Sequence, residues 1–149
     1  SNLPARHGCQ FISLSAIVIK TKTNAAVSIY KTRSFARWVK REGLADRDLC
    51  DAVVEMQKGL IDARLGGGLI KKRVARSGHG KRGGYRVILA SNLGDRWVFM
   101  FGFAKNERDN VDDDELRLMK RLASAFLEMD DRMLRQALTS GEILEIHHG

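Results

Sequence analysis

LIKKRVARSGHGKRGGYRVILASNLGDRWVFMFGFAK, residues 69–105, is the segment on which the fold turns. Three runs within it, LIKKRVAR (69–76), YRVILAS (85–91) and WVFMFGFAK (97–105), have the β-branched and aromatic content of strands. SGHGKRGG separates the first two, and Asn92 to Asp95 supplies a hairpin turn between the second and third. Connections this short cannot cross over a sheet, so the three strands are expected to pair antiparallel. In the last run Trp97, Phe99, Phe101 and Phe103 alternate with Val98, Met100, Gly102 and Ala104. Alternation assigns the aromatics to one face and the smaller residues to the other, which predicts a central strand covered on both sides.

On the N-terminal side, Val27 to Lys31 alternates as a short strand. Ser34 is placed to cap a short helix in which Phe35, Trp38 and Val39 fall at i, i+3 and i+4, and Gly43 ends it. Asp46 or Asp48 starts a longer helix. Leu49, Ala52, Val53, Met56, Leu60 and Ala63 line one side of it, Arg47, Asp51, Glu55, Lys58 and Asp62 the other, and Gly66-Gly67-Gly68 breaks it. On the C-terminal side, Asp112, Asp113, Asp114 and Glu115 suit the positive end of a third helix. Its polar residues, Arg117, Lys120, Arg121, Ser124 and Glu128, form a single stripe, which predicts deep packing on the sheet. Residues 131–138 continue helical, and EILEI (142–146) reads as a terminal edge strand. The expected fold class is therefore α+β: an antiparallel β-sheet with an N-terminal helical hairpin and a C-terminal helix packed on it.

One domain over residues 27–149 accounts for these elements, and residues 1–26 are read as an N-terminal extension. A chain of 149 residues can bury a sizeable single core. With 44% hydrophobic and 30% charged residues it is globular rather than disordered. FISLSAIVI (11–19) faintly imitates a signal peptide, but Ser13 and Ser15 interrupt it. No stretch approaches the ~18 apolar residues of a spanning helix, so a membrane partner is not expected and the chain is placed in the cytoplasm. Cys9 and Cys50 are too few for a disulfide framework and lack CxxC spacing. No metal or cofactor is expected. The net charge of +8 favours an anionic partner, nucleic acid first among them.

The positive charge is concentrated. Lys71, Lys72, Arg73, Arg76, Lys81, Arg82 and Arg86 fall in one stretch that holds no acid. Cations on a solvated edge strand would read the same way. The interleaved glycines argue for more, because a glycine-rich basic loop lets backbone amides and cationic side chains approach a phosphate together. Gly78, Gly80 and Gly83 match GxGxxG, yet a strand follows where a dinucleotide fingerprint needs a helix. No Ser or Thr follows a Gly-Lys pair, so a P-loop is excluded too. Arg86 stands among apolar strand neighbours, Ile88 and Ala90, and either snorkels at an edge or lines a pocket. Lys105, Glu107 and Arg108 follow the aromatic strand at once.

SGHGKRGGYRVI (77–88) followed by WVFMFGFAKNERDNV (97–111) resembles the strand-loop-strand-turn segment of RelE/HigB-type toxins of bacterial toxin-antitoxin systems. SIYKTRSFARW (28–38) is similar to the family's beginning. The resemblance implies an antiparallel sheet with a helical hairpin on one side and a groove on the other. It also implies an endoribonuclease that cuts mRNA on the ribosome without a metal, and a cognate antitoxin, expected to carry a helix-turn-helix domain. In that chemistry the 2′-hydroxyl attacks the adjacent phosphate. It asks for a group to deprotonate the hydroxyl, cations at the crowded phosphate and a group to protonate the departing 5′-oxygen. Arg86 matches the family's strand arginine and is expected at the phosphate, with Arg73 or Arg76 as second cations. Lys81, His79 and Glu107 are the candidates for proton transfer. Lys71, Lys72, Arg82, Lys105, Arg108 and Tyr85 are expected to contact RNA. The chain departs from the RelE branch after the last strand: where an Arg and a Tyr are usual it has Asn106 and Asp112. The stacking aromatic and one cation are then either missing or supplied from elsewhere, with Phe103 or Tyr85 the candidates. A gyrase-binding toxin of the ParE type and a non-toxic basic nucleic-acid-binding module are the alternatives.

Overall fold

Strand-forming composition organises the middle of the chain, and everything else is laid on it. The computed structural model describes residues 27–76 and 80–147, with backbone alone for residue 76 and residues 80–83. Strands β1 (Ser28–Thr32), β2 (Ala63–Gly66), β3 (Leu69–Arg76), β4 (Gly80–Ser91), β5 (Arg96–Ala104) and β6 (Ile143–Ile146) form one sheet in the order β2-β3-β4-β5-β1-β6. The β3-β4-β5 meander is antiparallel, as its short connections require. β1 lies parallel to β5 and carries β6 antiparallel on its outer side. With four helices added, the fold class is α+β.

Two apolar layers hold the sheet. Helices α1 (Arg33–Glu42) and α2 (Asp46–Gln57) cover one face, where Phe35, Trp38, Leu49 and Val53 meet Val87, Leu89, Trp97 and Phe99. Helices α3 (Asp113–Glu128) and α4 (Asp131–Ser140) cover part of the other, where Met119, Ala123 and Phe126 meet Ile88, Ala90 and Val98. Two arginines tie these helices down through their C-terminal carbonyls, the groups that helix ends leave unsatisfied. Arg96 Nη1 donates to Phe126 O and Met129 O at 2.9 and 2.8 Å, and Arg33 donates to Ser140 O and Gly141 O at 3.2 and 3.0 Å. Among the described residues no helix is long and apolar enough to cross a membrane.

Four local expectations are corrected. Thr32, not Ser34, caps α1, its Oγ1 accepting the Phe35 N–H at 3.2 Å. Helix α2 stops at Gln57 instead of running on to Ala63, because Gly59 adopts φ +93 and the chain turns. Residues 63–66 then become β2, and Gly66, Gly67 and Gly68, all at positive φ, turn a hairpin into β3 rather than ending a helix. This covers an edge of β3 that would otherwise be bare, and leaves Leu60 exposed.

The third correction decides the site. Leu89 pairs with Phe99 but Ile88 pairs with Phe101, so Met100 is an extra residue in β5. This bulge reverses the alternation. Phe101 and Phe103 leave the face of Trp97 and Phe99 and join the α3 side. The space they would have filled belongs to Trp38, whose indole lies so close over Gly102 that a Cβ there would meet ring atoms at 2.4–2.7 Å. The fourth concerns α3. Met119, Ala123 and Phe126 are buried, but Leu118 and Leu122 face outward, so the helix lies on the sheet along one side rather than being enclosed.

Candidate phosphate-binding groove

The face that α3 leaves partly open carries the cations. Strand alternation turns Lys71 and Arg73 to this side, because Lys72 between them faces the α2 layer. Arg86 turns the same way, since Tyr85 and Val87 belong to the opposite layer. Arg73 stands directly across from Arg86, and Arg86 directly across from Phe103. Side chains so placed have Cβ atoms about 4.5–5.5 Å apart, and like charges there are destabilising. Arg86 Nη1 is in addition buried with no hydrogen-bond partner among the described residues. A buried unsatisfied donor costs about 1–3 kcal/mol, more when charged. Two unfavourable features meet at one point of the sheet, which makes Arg86 and Arg73 the candidate anion-binding pair.

Arg108 completes the groove. It leaves the turn after β5 and folds back over the aromatic pair, its guanidinium carbon 5.7 Å from the Phe101 ring centre and 5.5 Å from that of Phe103. Glu115, in the first turn of α3, receives Arg108 Nη2 at 2.5 Å and Nη1 at 3.2 Å, while Nε donates to Asn110 O at 3.0 Å. Three of the five guanidinium N–H groups are thus engaged by described residues. Glu115 also accepts the Asp112 N–H at 2.9 Å, and Asp112 Oδ1 accepts the Glu115 N–H at 2.8 Å, a capping box. Hydrogen bonding to Arg108 first, then to the Asp112 amide, holds the Glu115 carboxyl below its ordinary value. Phe103 therefore sits between two arginines, one on each side.

The other candidates are distributed differently. Lys72 is buried on the α2 side and ion-paired with Glu55 at 2.7 Å. Tyr85 is also on that side, edge-on to Trp38 and donating from its hydroxyl to Glu42 O at 3.4 Å. Lys105 and Glu107 are exposed in the turn after β5, and the Lys105 amide donates to Gly84 O at 3.1 Å, tying that turn to β4 beside the basic loop. Arg76, Lys81 and Arg82 are placed by backbone only, at the ends of β3 and β4. His79 lies outside the described residues. Sequence reasoning passed over Glu115 and Phe101. The spacing of Asp112 and Glu115 was a legible capping box, but nothing local connected it to Arg108. Phe101 was hidden by the bulge. Among the described residues no three His, Cys, Asp or Glu side chains are grouped to hold a metal ion.

A basic α+β domain that gathers Arg73, Arg86 and Arg108 beside Phe101 and Phe103 on the partly uncovered face of its sheet defines the class of protein. Residues 27–146 match the family described as the RelE toxin of the RelE/RelB toxin-antitoxin system, and the chain belongs to this RelE toxin family. It is the toxin of a toxin-antitoxin pair, with a cognate antitoxin as its partner. Comparison with curated proteins finds no match.

Proposed function

We propose that this toxin is an endoribonuclease that cleaves mRNA on the ribosome, with the scissile phosphate seated between Arg86, Arg73 and Arg108. The observation that carries the reading is the buried, unpartnered Nη1 of Arg86 beside a second arginine. In the reaction the 2′-oxygen bonds to phosphorus as the bond to the 5′-oxygen breaks. The 2′-hydroxyl proton goes to a base, and a proton is supplied to the leaving 5′-oxygen. Products are a 2′,3′-cyclic phosphate and a 5′-hydroxyl end. Glu107, His79 and Lys81 are the candidates for the two proton transfers. The cations contribute by stabilising negative charge that grows at the phosphate in the transition state. Phe101, partly exposed beside Arg108, offers the neighbouring base an apolar surface.

Single-turnover cleavage of ribosome-bound mRNA tests this. Arg86→Ala should cut on the order of 10²–10³ more slowly, the scale of losing one preorganised electrostatic donor. Arg86→Lys keeps charge without the planar fork and should remain substantially impaired. Near wild-type cutting by Arg86→Ala would remove this residue from the site. Growth arrest by a wild-type protein that cuts no RNA would overturn the endonuclease reading in favour of gyrase binding.

A further inference from the structure

Cys50, on helix α2, is disulfide-bonded and buried in the core cluster beneath that helix. The chain has one other cysteine, Cys9, which lies outside the described residues. A single bond of this kind is no framework for a domain that already encloses Phe35, Leu49, Trp97 and Phe99. Its physical consequence is to tie the N-terminal extension to α2. The surface around Cys50 suits that segment. Val54, one turn further along α2, and Ile61 are half-buried at the margin of the cluster, and Leu60 beside them is 55% exposed. FISLSAIVI (11–19), the apolar run of the extension, begins two residues after Cys9. Val27 packs against the same cluster, so the chain enters β1 from this side of the sheet. Charge agrees as well. Helix α2 carries Asp46, Asp48, Asp51 and Glu55 against Arg47 alone, whereas residues 1–26 carry Arg6, Lys20 and Lys22 and no acid. Length is no obstacle, because the stretch from Cys9 to Val27 spans roughly 60 Å when extended and a domain of this size has a radius of gyration of roughly 13 Å.

We infer that Cys9 and Cys50 form a reversible disulfide that straps residues 11–19 over Val54, Leu60 and Ile61. In a reducing compartment the bond is open, and closing it takes an oxidant, here a small-molecule disulfide of the glutathione kind. Cys50 is 1% exposed and too enclosed to meet that oxidant first. The Cys9 thiolate therefore attacks the oxidant, one small thiol leaves, and a mixed disulfide remains. The Cys50 thiolate then attacks the Cys9 sulfur and expels the second small thiol. Two protein thiols have given up two electrons and two protons, and one oxidant disulfide has become two thiols. Reduction runs the exchange backwards and frees the segment. The strap lies on the opposite side of the sheet from Arg86, so the inference stands apart from the endonuclease reading.

The test takes the full chain through glutathione buffers from fully reduced to fully oxidised, beside Cys9→Ser, which leaves the packed Cys50 in place. Maleimide tagging of the denatured protein counts free thiols, and native trypsin cleavage after Lys20 and Lys22 reports the strap. Wild type should pass from two free thiols to none while remaining a monomer. Cleavage at Lys20 and Lys22 should then slow about tenfold or more, because proteolysis follows the population of the opened segment. Dithiothreitol should restore fast cleavage, and Cys9→Ser should be cut fast in every buffer. Leu60→Asp, at an exposed position, should form the bond yet recover most of the fast cleavage. Thiols that stay free in the oxidised buffers would overturn the inference, as would a disulfide-linked dimer in place of the bonded monomer. So would a bonded monomer cut as fast as the reduced one, which would be a tether with no seat on the domain. Protection left intact by Leu60→Asp would remove the apolar surface beside α2 as that seat.

Discussion

Single residues in this chain take their roles from which side of a strand they occupy. Lys71, Lys72 and Arg73 are three adjacent cations, equivalent by composition. In β3 they separate: Lys71 and Arg73 turn to the groove, and Lys72 is buried against Glu55 beneath α2. Removing one partner of such a pair strands the other. Since Glu55 keeps about a third of its side chain exposed, the expected cost of Lys72→Ala is about 1–3 kcal/mol, below that of a fully enclosed pair. Lys72→Met, which fills the space, should cost less. Urea unfolding would measure both, and RNA affinity and its salt slope should stay at wild-type values for each. A Lys72→Ala protein of unchanged stability and weakened RNA binding would put this residue back among the RNA contacts. Arg86 is the opposite case: the residue is half buried, and its Nη1 is enclosed with no hydrogen-bond partner among the described residues.

At the level of elements, the junction between β5 and α3 does the most to shape the groove. The bulge at Met100 delivers Phe101 and Phe103 to the groove side, and the capping box of α3 places Glu115 where it holds Arg108 over them. The capping and the ion pair are separable, because Glu115→Gln retains an oxygen for the Asp112 amide and loses only the charge. Glu115 has a folded-state pKa below its ordinary 4.5. Its ionised form therefore adds stability that is complete above that value and disappears as pH falls through the lower, folded one. Glu115→Gln should accordingly melt below wild type at neutral pH, and the gap should close as the pH is lowered beneath 4.5. Thermal melts across that range decide it. A gap that persists unchanged into acid would mean that lost packing, not the ion pair with Arg108, accounts for the difference.

For the molecule as a whole, the charge of +8 is a long-range property that acts before contact. Association with the cognate antitoxin should be electrostatically steered, with an on-rate that falls about tenfold or more as salt is raised from low to physiological strength and beyond. Stopped-flow mixing measures it, and a salt-independent rate would show that an acidic antitoxin segment does not guide the encounter. The domain's elements were largely legible from the chain. The meander, the glycine that ends α1, the acidic start of α3, α4 and the edge strand β6 all follow from local composition, and local preferences survive folding when packing agrees with them. The concentration of cations around Arg86 was legible too, as was the net charge of +8. Which cations share a face was not, nor that Arg108 would be clamped by Glu115, nor that Tyr85 would spend its ring on Trp38. Side chains alternate along a strand with a period of two, so one inserted residue, Met100, exchanges the faces of everything beyond it. That insertion is settled only where Trp38, arriving from a distant helix, takes the space over Gly102. The sequence by itself determined an α+β sheet rich in positive charge; tertiary packing decided which of those charges meet, because the face of a strand belongs to whatever lands on it.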